Sequence, residues 1–161
     1  RIGLIGTQAS IRSGAYERHI AACRPRAQVI AQPCPLFVPL VENGRIRPGD
    51  VVIETVAAEY LSPLKRAGVD TLVLGCTHYP LLERVIAAYM GPAVTLVNVG
   101  AESARAVGAM LGEQKALAAR EREGQCRCYV SDQAEDFSRL ASIFLGWDVT
   151  GAVGQVDIAA F

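Results

Sequence analysis

Cys76, Thr77 and His78 stand in a row, and a thiol, a hydroxyl and an imidazole side by side are residue types suited to moving protons. What precedes them decides whether they can work together. Thr71-Leu72-Val73-Leu74 is a short apolar run of mostly β-favouring residues that stops at Gly75. Such a run reads as a strand buried on both faces of a parallel sheet. The residues after Gly75 then fall at the carboxyl end of that strand, where open α/β sheets bind their ligands. Pro80 tolerates the first turn of a helix, so a helix is expected to begin near His78 and to run through Leu81, Leu82, Val85 and Ile86. Cys76 is thereby set at or just before a helix N-terminus, whose positive dipole end favours a thiolate. Backbone N–H groups there, with the Thr77 hydroxyl, offer a seat for a carboxylate. The expectation is a reactive thiol facing an anionic substrate.

The elements that must hold this stretch follow from the same kind of pattern. Ile2 to Ile5 reads as a first strand, with Gly6-Thr7 turning out of it, and Ser13 to Ala22 as a helix with Tyr16, Ile20 and Cys23 on one face. Val29 to Ala31 is a second strand. Pro33 to Pro48 holds four prolines and is expected to be an irregular loop of a length that usually has a job. Asp50 caps a helix carrying Val52, Val56 and Tyr60, Ser62-Pro63 marks a break and restart, and Gly68 ends it. Beyond the Cys76 turn, Gly91-Pro92 precedes a strand over Val94 to Val97 and a helix over Ala101 to Leu111. Gly112 to Gly124, with Arg120 and Arg122 among acids, reads as a solvated linker. Cys126 to Val130 is a strand, Gln133 to Leu145 a helix with Phe137, Leu140, Ala141 and Phe144 inward, and Val153 to Phe161 a last strand. Strand and helix alternate throughout, which argues for an α/β fold with a parallel sheet.

Composition narrows the class. At 161 residues the chain can bury a real core, and its 16 basic and 16 acidic residues leave no charge field that would mark it for nucleic acid or an anionic membrane. No apolar run is long enough to span a bilayer. Five cysteines cannot all pair, and no signal-peptide pattern opens the chain, so reduced thiols in the cytoplasm are expected. The chain opens on Arg1 with a strand already under way, and is read as a fragment that lacks an upstream piece.

Gly75-Cys76-Thr77-His78-Tyr79-Pro80, followed by Leu81 and Leu82, resembles the second signature of the glutamate racemases, cofactor-independent enzymes of the aspartate/glutamate racemase superfamily. The likeness extends in family order to Ile5 through Tyr16, Cys34 through Glu42 and Tyr60 through Lys65. It implies a Rossmann-like three-layer α/β domain over residues 1–97, and a segment over residues 98–161 that completes a second, similar α/β domain, most of which lies outside this chain. It further implies racemisation of L- and D-glutamate by two thiols on opposite faces of the α-carbon, with D-glutamate going to peptidoglycan, no cofactor and no metal. One of the two thiols maps onto Cys76, and the other belongs to the upstream half. His78 would tune or orient Cys76, Thr77 would hold the substrate's carboxylate or amine, and Glu42 matches a carboxylate near that histidine. Ser10 stands where the family usually has Thr and keeps a hydroxyl for the substrate. At Asn98-Val99-Gly100 the chain departs from a common Asp-Ser pair. The expected partner is the small molecule glutamate, with no nucleic acid and no membrane, and the full-length protein is expected to be a homodimer.

Each of these residues has a plainer reading. Cys76 alone could be a buried small hydrophobe, His78 a helix-start residue, Glu42 a solvated loop acid, and Ser10 the N-cap of the next helix. Cys23 and Cys34 read as structural. Cys126 and Cys128 share a face of a strand, a weak metal signal without further ligands. A Cys–His hydrolase built on Cys76 and His78 lacks an evident orienting partner for the histidine. The remaining alternatives are an aspartate-type racemase of the same superfamily and a non-catalytic, anion-binding remnant. A chain carrying one thiol of the pair is expected to be inactive as a racemase by itself.

Overall fold

A computed structural model describes residues 1–118 and 124–158 of the chain. They form two compact units, divided between Lys115 and Ala116. Arg120, Arg122 and the last residues of the expected final strand lie outside the described residues.

The first unit is built on four parallel strands, β1 (Ile2–Gly6), β2 (Val29–Pro33), β3 (Thr71–Leu74) and β4 (Thr95–Asn98), in the order β2-β1-β3-β4. Leu4 and Ile5 point to opposite faces of β1, and both are wholly buried, so the central strand is covered on either side. This is the α/β fold with a parallel sheet that the alternation of elements predicts, in the three layers that the resemblance implies. β1 pairs with β3 from Ile2↔Thr71 to Ile5↔Leu74, and the ladder is carried one step further by Gly75 N–H donating to the Ile5 carbonyl at 2.8 Å. The carboxyl ends of β1 and β3 therefore open side by side, at Gly6-Thr7 and Gly75-Cys76.

The helices depart from the sequence reading in several places, some for a local reason and some because burial overrides local preference. The helix expected over Ser13 to Ala22 is α2 (Ala15–Cys23), and a further helix not expected from the sequence, α1 (Gln8–Ser13), precedes it, ended by Gly14 in the left-handed conformation at φ +62°. Cys23 is exposed at the end of α2, not on an inward face. Within the proline-rich segment a helix forms after all, α3 (Phe37–Glu42). Pro39 falls in its first turn, where the N–H has no intrahelical partner to lose, and Phe37 and Val41, one turn apart, are both buried.

The helix capped by Asp50, α4 (Val51–Arg66), runs unbroken through Pro63. Its buried face of Ile53, Ala57, Tyr60, Leu61 and Leu64 outweighs the hydrogen bond that proline removes, since each large apolar side chain contributes about 1.5–3 kcal/mol. The Asp50 carboxylate accepts from Val52 N–H at 3.0 Å, as a cap should. After the Cys76 turn comes a single 3₁₀ turn (Tyr79–Leu82) and then α5 (Glu83–Met90), which ends at Gly91. Asn98 closes β4 and caps α6 (Val99–Glu113), its side-chain oxygen accepting from Ala101 N–H at 3.1 Å.

The second unit has two parallel strands, β5 (Cys128–Val130) and β6 (Val153–Gln155), joined through α7 (Ala134–Leu145). Ala141 of α7 is buried, Leu140 and Phe144 are half-buried, and Phe137, expected inward, is exposed. A two-stranded sheet with one helix has too little surface to cover that face. Eight of the eleven exposed large apolar side chains among the described residues lie in α6 or beyond it, Tyr129 and Trp147 included.

Candidate active site

Gly75 is dictated by close approach. A side-chain Cβ at this position would lie 2.7 Å from the Ile5 carbonyl oxygen, a backbone atom that cannot swing aside. The chain therefore leaves β3 tight against β1, and Cys76 emerges half-buried at the sheet's carboxyl edge. Tyr79 N–H donates to the Cys76 carbonyl at 3.2 Å and closes the turn. The element that follows is a 3₁₀ turn of four residues rather than the α-helix expected from His78 onward, because α5 starts only at Glu83.

His78 stands at the head of that turn without making a capping hydrogen bond. Its ring instead spans two elements. Nε2 lies 3.1 Å from Oε1 of Glu42, at the end of α3, and Nδ1 lies 3.9 Å from Cys76 Sγ and 3.4 Å from Thr77 Oγ1. With a carboxylate on Nε2, that nitrogen carries the proton, and Nδ1 of the neutral ring accepts from the thiol or the hydroxyl. Proton transfer from Sγ to Nδ1 would leave a thiolate beside an imidazolium whose charge Glu42 balances. The histidine thus has an orienting partner, which the sequence reading of a Cys–His pair lacked. Glu42 is 44% exposed on its side chain and His78 20%, so the pair is open enough to meet a small molecule.

Ser10 lies in α1, where its role differs from a cap. Thr7 is the N-cap, its Oγ1 accepting from Ser10 N–H at 3.2 Å, and the Ser10 hydroxyl pairs with Thr7 Oγ1 at 3.0 Å. A Cβ on Gly6 would touch Ser10 Cβ at 3.4 Å and the Gly75 carbonyl at 3.5 Å, so Ser10 flanks the same pair of strand ends from which Cys76 leaves. Thr7 was missed in the sequence, although a hydroxyl residue directly after the strand and three ahead of Ser10 is a cap signal.

The other thiols differ from Cys76 in setting. Cys34 is fully buried, donates to the Gln32 carbonyl at 3.6 Å, and is pushed far up in pKa by burial. Burial, followed by the adjoining Cys126 thiol, raises Cys128. A cavity of about 550 Å³ lined by Gly124 to Tyr129, Trp147 and Gly151 to Gly154 belongs to the second unit and includes none of the site residues. Among the described residues, no group of three or more His, Cys, Asp or Glu side chains is placed to hold a metal ion, and no helix is long and apolar enough to cross a membrane.

No protein-family model matches the chain. Known proteins do. A glutamate racemase of Geobacter metallireducens is 44% identical over 160 residues, covering 99% of this chain. One of Lactiplantibacillus plantarum is 51% identical over 111 residues, or 69% of this chain. This chain is a homologue of the glutamate racemases. It spans 58% of the length of the first of these relatives and 40% of the second. The fold agrees. The crystal structure of the Francisella tularensis glutamate racemase in complex with D-glutamate matches with a TM-score of 0.87 at 31% identity, over 99% of this chain and 59% of that one. The Thermus thermophilus glutamate racemase in complex with β-chloro-D-alanine matches with a TM-score of 0.82 at 36% identity, over the whole of this chain and 58% of that one.

Proposed function

We propose that this chain supplies one of the two acid/base thiols of a cofactor-independent glutamate racemase. The observation that carries the reading is the Cys76–His78–Glu42 relay at the carboxyl edge of a parallel sheet, in a chain homologous to glutamate racemases. Racemisation removes the α-proton from one face and returns one to the other, so it needs two groups on opposite sides of the substrate. Cys76 is the base or acid on its face. His78 takes or returns the thiol proton through Nδ1, and Glu42 holds the ring through Nε2. Thr77 and Ser10 bind the substrate's carboxylate and amine. The partner is glutamate, as the bound D-glutamate of the Francisella protein suggests. The product D-glutamate goes to peptidoglycan in the cytoplasm, and the active species is a homodimer of the whole protein.

The second acid/base comes from a part of the family's fold that these residues do not match. Cys34 is too deeply buried to serve from within the first unit, and Cys23 sits at the far end of α2. On this reading residues 1–97 form one α/β domain of the whole enzyme, and residues 98–161 return to the other. The exposed apolar side chains of α6 and the second unit fit an element that ordinarily has a neighbour.

Proton NMR of L- and D-glutamate in D₂O tests this reading. The chain is expected to exchange the α-proton of one enantiomer without inverting it, and Cys76→Ser to abolish the exchange. Inversion by the chain alone would place a second acid/base within residues 1–161 and overturn the division of labour. Exchange that survives Cys76→Ser would remove Cys76 from the mechanism.

A further inference from the structure

The Glu42–His78 contact joins residues 36 apart in sequence and depends on where a helix of only six residues comes to rest. α3 belongs to no strand ladder, so beyond the backbone that enters it at Cys34 its position rests on side chains. Phe37 and Val41 are fully buried, and the Phe37 ring meets Tyr79 edge-on at 5.2 Å and Tyr60 at 5.4 Å between centroids. Polar ties accompany these contacts, among them the Cys34 N–H, which donates to the Gly6 carbonyl at 2.9 Å. The Tyr79 hydroxyl, wholly buried, donates to the carbonyl of Cys34 at 2.9 Å, a bond that spans 45 residues. Cys34 in turn accepts from Phe37 N–H at 3.2 Å, at the first turn of α3.

Consecutive residues therefore hold the two ends of one short helix. Tyr79 points into the core and secures its start, while His78 points into the site and meets its end. We propose that Tyr79 is a positioning residue for the proposed relay, setting through Cys34 and α3 where Glu42 meets His78. Six helical residues span about 9 Å, short enough for a shift at one end to be carried to the other. Because burial raises the phenol's pKa, Tyr79 stays a protonated donor across the working range of pH. The inference rests on the Cys76–His78–Glu42 reading, and its test separates the two.

The measurement is the rate of Cys76 alkylation by iodoacetamide in the full chain, read by mass spectrometry of the Cys76 peptide so that the exposed Cys23 and Cys126 do not enter. Glu42→Gln is expected to slow it about three- to tenfold, the range a single hydrogen bond supports. Tyr79→Phe should slow it by a similar factor, and the double variant no further than the slower single one, because both act through one contact. Proton NMR adds a signature that a general loss of stability does not move. A downfield Nε2–H signal of His78 is expected in the unaltered chain and should be lost in Tyr79→Phe while the dispersed amide spectrum persists.

Factors that multiply in the double variant, or a Tyr79→Phe chain with unaltered rate and signal, would overturn the positioning role and leave the relay standing. An unaltered rate in Glu42→Gln would overturn both. Should Tyr79→Phe fail to fold, Phe37→Leu loosens the same anchor while leaving every polar group paired. It is expected to behave alike, and an unaltered rate there would overturn the proposal.

Discussion

Replacing Gly75 by alanine tests how tightly β3 must lie on β1 for Cys76 to emerge where it does. The added Cβ would stand 2.7 Å from the Ile5 carbonyl oxygen, 3.1 Å from Leu4 Cδ1 and 3.4 Å from Tyr16 Cε2. The first contact is decisive, since it involves backbone. The same oxygen accepts the Gly75 N–H at 2.8 Å, so relieving the clash by about 0.5 Å stretches that bond to about 3.3 Å, past the usual limit. Overpacking costs about 1–3 kcal/mol and a buried hydrogen bond left poorly made about 1–3 kcal/mol; the two overlap, so the expected loss is about 2–4 kcal/mol.

Gly3→Ala is the control. Its Cβ would lie 2.9 Å from Leu72 Cδ1, a contact nearly as close, but with the end of a rotatable side chain. Its cost should be near 1 kcal/mol, partly offset by the smaller entropy of the unfolded chain. Urea denaturation followed by far-ultraviolet circular dichroism gives both values. Iodoacetamide labelling of native Gly75→Ala should in addition show an altered rate at Cys76. A Gly75→Ala chain as stable as Gly3→Ala would refute the reasoning, since it would mean that the strand end gives way without cost.

Three further outcomes follow from the same contacts. Burial raises the Cys34 thiol above its ordinary value of 9.0, so the folded state keeps a proton that the unfolded state releases; stability is full below pH 9 and falls above it by about 1.4 kcal/mol per pH unit. Denaturation midpoints at pH 7, 9 and 10 should show this slope in the native chain and lose it in Cys34→Ala, and an unchanged slope in the variant would assign it elsewhere. Asp50 is held below its ordinary 3.8, first by the hydrogen bond from Arg45, against desolvation as the next effect, and then by the Val52 N–H, so its contribution exists above 3.8 and disappears as the pH falls through the lowered value. Asp50→Ala should therefore lower the melting temperature at pH 7, with the gap closing in acid; a gap independent of pH would show that the charge is irrelevant to the cap. Gly108 sits inside α6 with open space around its Cα, so Gly108→Ala should stabilise the chain by about 0.5–1 kcal/mol in urea titration.

Much of the site was legible because its signals are local. The apolar run ending at Gly75 placed β3, the thiol and hydroxyl beyond it marked the carboxyl edge, and Asp50 announced the start of α4, since a cap or a strand's burial pattern is written within a few neighbouring residues. The resemblance named Cys76, Thr77, His78, Glu42 and Ser10, and the tertiary structure then decided how they are disposed. That Glu42 meets His78, that Tyr79 reaches Cys34, and that α3 forms amid prolines all depend on burial across 36 to 45 residues of chain, which no local window contains. Pro63 shows the same limit from the other side. Its local preference is to break a helix, yet five buried side chains of α4 carry the helix past it. Propensity differs by a few kcal/mol at a single residue, whereas packing of a whole face sums many such terms. Where the two disagree, only the folded chain shows which is larger.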